Sequence, residues 1–268
     1  MVDDHHAGLR AKSWVRRLWY PASRLSQVAA AARLADALVV INDVDRQYAI
    51  DHGWQPEDRV TTVPHGISSR FIAGAPPADA PRGGGLLFCG TWDYVKGTPY
   101  VCGAIERLHE TGTAARLTVL GPGIPAAAVL ADFSPAVRPF VTVIDRVPEA
   151  KVMDEFRRHD ALLFASTYEG FGLVVLEAMS QRLPVIATPV GCAATLVRDG
   201  ETGYRVPARD VAALAAAVEQ VFREPLEARR MAGRARSEAA GMTWRATAER
   251  TLEVYASARA RVIVGTKQ

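Results

Sequence analysis

The sequence predicts an α/β fold in which helices cover both faces of a parallel sheet. Apolar runs of strand length, such as Leu86–Cys89 and Leu117–Leu120, alternate with helical patterns over most of the 268 residues. This alternation is typical of parallel strands that are joined by helices. The composition, 49% hydrophobic and 23% charged, is that of a globular chain and not of a disordered one.

Residues 1–72 supply only about two strands. The patterns predict a helix at Ala22–Leu34, a strand at Ala37–Ile41, a helix from about Val44 and a strand near Val60–Val63. Two strands cannot bury a self-sufficient core. We therefore expect this part to be the remnant of an N-terminal Rossmann-like domain, completed by residues missing upstream or by a partner chain.

Residues 73–85 are rich in Ala, Pro and Gly and predict an interdomain linker. A doubly wound domain is predicted at 86–242, followed by a terminal helix within 243–268. Its predicted strands are Leu86–Cys89, Leu117–Leu120, Val141–Ile144, Ala161–Ala165, Pro184–Ala187 and Gly203–Val206. Its predicted helices are Thr98–Thr111, Glu149–Arg158, Gly172–Gln181, Asp210–Phe222, Leu226–Ala239 and Trp244–Ala260. Such a domain binds its ligands beyond the carboxyl ends of its strands.

Charge and cysteine content exclude several classes of protein. A formal charge of +3 is too small to indicate a nucleic-acid partner. The three cysteines, Cys89, Cys102 and Cys192, form no C-x-x-C pair, so neither a disulfide framework nor a structural zinc site is expected. The chain carries no signal-peptide pattern and no apolar stretch of membrane-spanning length, and we expect a cytoplasmic protein.

The N-terminal segment is basic and aromatic. Residues 1–35 hold six Lys or Arg against two Asp. Two interpretations stay open: a helix that contacts the inner face of a membrane, or a solvated helix with its aromatic side chains turned inward. The residues concerned are Arg10, Lys12, Trp14, Arg16, Arg17, Trp19, Tyr20 and Arg24.

Two glutamates interrupt an otherwise uncharged segment. Between Asp160 and Arg182 the chain reads ALLFASTYEGFGLVVLEAMSQ, with Glu169 and Glu177 as its only charges. Glu169 ends a strand before Gly170, Phe171 and Gly172, where glycines let a ligand approach the backbone. The helix that starts at about Gly172 presents free N–H groups suited to a diphosphate. Glu177 is predicted to be partly buried, so it should have hydrogen-bond donors nearby.

The segment YEGFGLVVLEAMSQRLPVIAT resembles the E-x7-E segment of retaining GT-B glycosyltransferases, specifically glycosyltransferase family 4. Three further segments resemble that family in the expected order: VPHGI, LLFCGTWDYVKG and GCAATLVRDGETGYRVPARD. The resemblance implies that Glu169 contacts the transferred sugar, that Glu177 contacts the ribose and that Lys96 contacts the diphosphate. It also implies a metal-independent reaction with no cofactor beyond the nucleotide-sugar substrate, and a terminal helix within 243–268 that crosses back to the N-terminal domain.

Two positions depart from the family pattern. Many members carry an arginine after the glycine of the first strand, where this chain has Thr91 after Gly90. A second phosphate-binding cation is therefore missing there. His65 also replaces the family's asparagine before Gly66.

Two competing patterns have other interpretations. Gly121, Gly123 and Ala126 form a G-x-G-x-x-A sequence that, with Asp145, indicates a dinucleotide site, although Pro122 and Pro125 remove backbone donors from the loop. The D-x-D sequence Asp43-Val44-Asp45 is interpreted as a helix start and not as a metal site. His5 and His6 are interpreted as terminal or surface residues.

The sequence therefore predicts the donor-binding half of a glycosyltransferase that moves a sugar from a UDP- or GDP-linked donor to a glycan, lipid or small-molecule hydroxyl. The alternative is a non-catalytic or partner-dependent nucleotide-sugar-binding subunit, and the remote alternative is an NAD-binding oxidoreductase. The predicted catalytic residues are Glu169 and Lys96. The predicted donor-binding residues are Gly90, Thr91, Gly170, Phe171, Gly172, Leu173, Val174 and Glu177.

Overall fold

The computed structural model describes residues 25–265, with side chains as far as Arg261. The basic aromatic segment up to Arg24 and the His5–His6 pair lie outside this range, so the predictions made for them stay predictions. The chain divides into two compact units: one is formed by residues up to Val63 together with those from Glu249 onward, and the other by Pro64–Ala248.

The first unit contains a two-stranded parallel sheet. Its elements are α1 (Ser26–Leu34), β1 (Leu38–Val40), α2 (Asp43–Asp51) and β2 (Val60–Thr62). Leu38 pairs with Val60, and the strands run parallel from there. Asn42 caps α2 by accepting the amide of Asp45 at 2.8 Å, so the D-x-D sequence lies in the first turn of a helix, as predicted.

The second unit contains a six-stranded parallel sheet in the order β5-β4-β3-β6-β7-β8. The strands are β3 (Leu86–Cys89), β4 (Leu117–Leu120), β5 (Val141–Ile144), β6 (Ala161–Phe164), β7 (Val185–Ala187) and β8 (Tyr204–Arg205). The chain adds strands outward from β3 to one edge and then from β6 to the other. The winding therefore reverses between β3 and β6, which is where a ligand crevice is expected.

Helices connect these strands. They are α3 (Ser69–Ala73), α4 (Thr98–Glu110), α5 (Ala126–Ala131), α6 (Glu149–Arg158), α7 (Leu173–Ser180), α8 (Ala193–Leu196), α9 (Val211–Arg223) and α10 (Pro225–Ala239). The last helix, α11 (Trp244–Gly265), begins in the second unit, and its residues from Glu249 onward group with the first. None of the helices in the described range is long and apolar enough to cross a membrane.

The core of the second unit lies on both faces of the sheet. Every residue of β4, β6 and β7 is buried, which explains why these strands are continuous apolar runs without alternation. Leu86, Leu117 and Leu163 belong to one buried cluster that also contains side chains of α4 and α9. Burial of these strands fixes where their carboxyl ends, and the loops that follow them, come together.

The predicted linker contains neither helix nor strand after α3, but it is held firmly. The guanidinium of Arg82 donates to the backbone carbonyls of Phe156 and His159 at 2.8 and 2.7 Å. It also donates to those of Gln181 and Arg182 at 2.9 and 2.8 Å. These carbonyls lie at the ends of α6 and α7, where helices leave C=O groups without partners. Arg82 therefore fixes residues 74–85 within the second unit, a contact that the composition of the segment did not reveal.

Candidate active site

A cavity of about 390 Å³ opens at the carboxyl ends of β3 to β6. Its wall combines loop residues that follow these strands with the beginning of α7. The lining residues are Cys89, Gly90, Thr91, Lys96, Leu120, Gly121, Arg146, Val147, Val152, Glu169, Gly172, Leu173 and Val174. The cavity thus lies at the reversal point that the sheet order defines.

Lys96 and Glu169 form an ion pair in this cavity. The Nζ atom of Lys96 lies 2.9 Å from Oε1 and 2.7 Å from Oε2 of Glu169. The side chains are 29% and 15% exposed, so the pair is accessible to a ligand but partly shielded from water. The hydroxyl of Ser166 donates to the same carboxylate at 3.3 Å. The structure therefore brings together the two predicted catalytic residues.

The loop that carries Lys96 is fixed by the side chain of Asp93 and by a close contact at Gly97. The carboxylate of Asp93 accepts the amide of Lys96 at 3.1 Å and the hydroxyl of Thr91 at 2.8 Å. Gly97 has a φ of 74°, and a Cβ atom there would overlap the carbonyl oxygen of Ala165, at the end of β6. Only glycine fits this close approach, so the β3 loop packs directly against the β6 loop.

The N-terminus of α7 is open to the cavity. Gly172 precedes the helix with a φ of 84°. The amides of Leu173 and Val174 have no acceptor among the described residues, whereas the amide of Val175 donates to the carbonyl of Gly172. Free amides and the positive end of the helix dipole at one point are suited to a phosphate group.

Glu177 lies one turn beyond Val174 on α7. Burial raises the pKa of its carboxyl to about 7, and the charge of Glu149 adds to the effect. No described residue donates a hydrogen bond to this carboxylate, contrary to the prediction from the sequence. Among the described residues its oxygens thus have no hydrogen-bond donor, and desolvation shifts the carboxyl toward the neutral form.

Some of the predicted site residues line the cavity, and others lie behind its wall. Gly90, Thr91, Lys96, Glu169, Gly172, Leu173 and Val174 line the cavity; Gly170, Phe171 and Glu177 do not. Phe171 is buried, with its ring 5.1 Å from that of His65, which itself lies 5.4 Å from the ring of Trp244. Phe171 thus contributes packing beneath the site.

Several lining residues were missed by the sequence analysis. Gly121 follows β4, and Arg146 and Val147 follow β5, so the carboxyl-end rule applied to every strand would have found them. Arg146 is exposed and forms no ion pair or hydrogen bond with the described residues. It is a cation that the cavity offers in addition to Lys96.

The G-x-G-x-x-A segment does not form a dinucleotide-binding turn and helix. Gly121 and Gly123 have φ of 69° and 73°, and the carbonyl of Pro122 accepts the amide of Trp92 at 2.8 Å. The helix that follows, α5, has only six residues. Among the described residues, no group of three or more His, Cys, Asp or Glu side chains is arranged to hold a metal ion.

A doubly wound parallel sheet with a cavity at its reversal point defines the doubly wound class of α/β folds, which bind their ligands at this point. Among solved structures, sucrose-phosphate synthase from Thermosynechococcus elongatus has this fold, with a TM-score of 0.71 and 23% identity over 89% of this chain and 62% of that one. The fold is thus an α/β fold with parallel sheets, similar to those of GT-B glycosyltransferases. Residues 83–224 match the model of the family "Glycosyl transferases group 1", and the chain belongs to that family.

Two curated relatives extend the comparison. A D-inositol 3-phosphate glycosyltransferase from Kineococcus radiotolerans is 33% identical over 88% of this chain and 60% of its own length. A glycogen synthase from Mycobacterium tuberculosis is 31% identical over 75% of this chain and 49% of its own length. The chain therefore spans between about half and three fifths of the length of these relatives.

Proposed function

We propose that this chain provides the donor site of a retaining, metal-independent glycosyltransferase of family 4, which moves a sugar from a nucleoside-diphosphate donor to an acceptor hydroxyl. The observation that carries the proposal is the Lys96–Glu169 pair, in one cavity with the free amides of Leu173 and Val174. A cation, a carboxylate and a helix N-terminus match the charges and hydroxyls of a nucleotide sugar.

The sheet order supports one orientation of the donor. Glu169 follows β6 and Arg146 follows β5, and these strands are three spacings apart, or about 14 Å. We place the sugar at Glu169, the diphosphate at Lys96 and the start of α7, and the nucleoside toward Arg146. Glu177 would then accept the ribose hydroxyls, which are good donors to a carboxylate.

Charge balance supports the division of roles between the cations. Glu169 neutralises the charge of Lys96 in the absence of a donor. A bound phosphate would therefore have to share the ammonium of Lys96 with the carboxylate of Glu169. Thr91 is engaged with Asp93 and carries no charge. Arg146 has no acidic partner among the described residues, so its positive charge is available at the nucleoside end of the cavity and does not replace the phosphate-binding cation that is missing at Thr91.

The chemistry breaks the bond between the sugar C1 and the diphosphate oxygen and forms one from C1 to the acceptor oxygen. The acceptor proton passes to an oxygen of the departing diphosphate, so the step needs no protein side chain as the base. Glu169 orients the sugar, while Lys96 and the α7 amides stabilise the charge that develops on the diphosphate.

The first test is calorimetric titration of the chain with UDP-sugars, GDP-sugars and NAD. We expect at least one nucleotide sugar to bind, and Lys96→Met to weaken binding at least tenfold, since charge-assisted hydrogen bonds are worth roughly 1.5–3 kcal/mol. The matched control is Lys151→Met, an exposed lysine on α6. Binding of NAD with no response to any nucleotide sugar would favour the oxidoreductase and refute the proposal.

The second test measures transfer in the presence of EDTA, with the product's anomeric configuration followed by NMR. Retention and insensitivity to EDTA are expected. The acceptor panel should include inositol 3-phosphate and glycogen, after which the two relatives are named. Inversion of configuration, or loss of transfer with EDTA, would contradict those parts of the proposal.

The alternative is a nucleotide-sugar-binding subunit that transfers sugar only with a partner chain. Donor binding without hydrolysis or transfer, restored by an upstream extension or a partner, would favour it.

A further inference from the structure

Exposed aromatic side chains lie beside the sugar end of the cavity. In the second unit, the exposed large apolar residues among those described are Tyr94, Val95, Ile124, Tyr168, Leu226 and Trp244. Three of these six, Tyr94, Val95 and Tyr168, lie on the two loops that carry Lys96 and Glu169. Single exposed apolar residues need no explanation, but a concentration of them at the rim of a site indicates contact with a ligand.

Hydrogen bonds between the two loops hold their backbones side by side. The amide and hydroxyl of Thr167 donate to the carbonyl of Val95 at 2.8 and 3.2 Å, which brings the neighbours Tyr94 and Tyr168 onto adjoining backbone. The hydroxyl of Tyr94 lies 3.3 Å from that of Tyr100 on α4. We call Tyr94, Val95 and Tyr168, with Tyr100 behind Tyr94, the aromatic rim.

The aromatic rim is accessible, and the backbone beneath it is fixed. Tyr94 is 55% exposed and Tyr168 is 68% exposed. The close approach of Gly97 to Ala165 and the bonds from Asp93 fix the loops beneath them. A preorganised surface loses little entropy when it binds, and tyrosine offers a large face with few rotatable bonds.

We propose that the aromatic rim binds a carbohydrate ring of the acceptor beside the sugar to be transferred; this inference rests on the proposed function. A pyranose ring presents a face of C–H groups that packs on an aromatic ring, and its hydroxyls can bond to the tyrosine hydroxyls at the edge. Neither tyrosine lines the cavity itself, but Tyr94 is two residues from Lys96 and Tyr168 precedes Glu169, so the aromatic rim lies on the two loops that carry the ion pair of the cavity. The acceptor class is thus a saccharide or glycoside.

A protein partner fits the aromatic rim less well. A stable protein interface buries about 800 Å² on each side, whereas a fully buried aromatic side chain contributes at most about 250 Å². Two tyrosines and a valine, each already partly covered, fall short of that area. Polar and charged neighbours surround them, with Thr91 and Asp93 on one loop and Thr167 on the other.

The test compares the wild-type chain with Tyr94→Ala, Tyr168→Ala and the corresponding Phe variants. Saturation-transfer NMR would be recorded with oligosaccharides of glucose, mannose and N-acetylglucosamine, in the presence of the nucleotide diphosphate that binds best. We expect one of these saccharides to bind, both Ala variants to weaken it about tenfold and the Phe variants to retain most of it. Tyr255→Ala, an exposed tyrosine on α11, is the matched control.

Donor binding is measured on the same variants by nucleotide titration. It should change less than twofold, which separates the aromatic rim from the donor site. If the wild-type chain binds no nucleotide, the result refutes the proposed function and not the role of the aromatic rim. The inference is overturned if no saccharide in the panel binds, if both Ala variants bind as the wild type does, or if the variants alter self-association and not saccharide binding.

Discussion

The ammonium of Lys96 lies within 2.9 Å of both carboxylate oxygens of Glu169. These residues are 73 positions apart in the sequence and come from the loops after β3 and β6, which are neighbours at the reversal point of the sheet. At rest each charge neutralises the other. A bound donor would therefore contact an ammonium and a carboxylate that remain paired with each other, and not two unpaired charges.

A double-mutant cycle should detect this pair in the stability of the fold. Lys96→Met or Glu169→Gln alone leaves a partly buried polar group without its partner, at a cost of about 1–3 kcal/mol. We expect the double variant to cost at least about 1 kcal/mol less than the sum of the single changes, as measured by urea denaturation.

The cycle has a matched control in Lys151→Met and Glu110→Gln, exposed residues that do not contact each other. Their effects should add within about 0.5 kcal/mol. Additivity for Lys96 and Glu169 as well would contradict the ion pair.

Glu177 should release a proton when a nucleotide binds. Burial raises its pKa to about 7, so the carboxyl is close to half protonated at neutral pH. Hydroxyl donors from a ribose stabilise the ionised form and lower the pKa, so affinity should rise as the pH rises through 7. Calorimetry at pH 7 in buffers of different ionisation enthalpy should show release of about half a proton.

The Glu177→Gln variant removes the ionisable group and should abolish this release. Glu110→Gln, at the far end of α4, should leave it unchanged. Equal proton release by the wild type and Glu177→Gln would show that the proton comes from another group.

His159 should remain neutral well below the usual range. It is fully buried, with Nδ1 2.7 Å from the carbonyl of Glu155 and Nε2 2.8 Å from the hydroxyl of Thr118. Burial lowers its pKa from 6.5 to about 4. Between these values the unfolded chain binds the proton and the folded one does not, so stability is complete above pH 6.5 and falls as the pH drops toward 4.

The expected loss from His159 is about 2 kcal/mol between pH 7.5 and 5. It is read as the change in the stability difference between the wild type and His159→Gln. The imidazole C–H resonances of His159 should also stay constant from pH 8 to 5. Titration of these resonances with a midpoint near 6.5 would refute the account of its burial.

Gly97 should not tolerate a side chain. At Gly112 (φ 88°) a Cβ atom meets nothing within 4 Å, whereas at Gly97 (φ 74°) it overlaps the carbonyl of Ala165. Gly112→Ala should therefore cost about 1 kcal/mol for backbone strain alone, and Gly97→Ala several kcal/mol more. Urea denaturation of the two variants checks this; equal losses would mean that the two loops are not packed as described.

Much of the second unit could be predicted because its strands are buried on both faces and its helices are long enough to show periodicity. Glu149–Arg158 has the predicted bounds, and Leu86–Cys89 and Leu117–Leu120 do as well. Short helices such as Ala193–Leu196 were missed because one turn carries too little periodic signal. The predicted strand at Gly203–Val206 contains only Tyr204–Arg205.

The candidate site was predictable where residue type and local geometry coincide, as at Glu169 and the glycines around α7. The Lys96–Glu169 contact was not, because it depends on which loops adjoin in the sheet. Arg146, in contrast, could have been predicted, because it lies just beyond β5, whose bounds the sequence predicted. The absence of protein donors to Glu177 among the described residues depends on tertiary packing.

A crystal structure of the chain with a nucleoside diphosphate would show whether a diphosphate binds at the start of α7 beside the Lys96–Glu169 pair. We expect phosphate oxygens within hydrogen-bond distance of the amides of Leu173 and Val174 and of Lys96 Nζ, with ribose hydroxyls on Glu177. A diphosphate bound instead on the loop from Gly121 to Ala126, with Lys96 and Glu169 still paired and untouched, would contradict it.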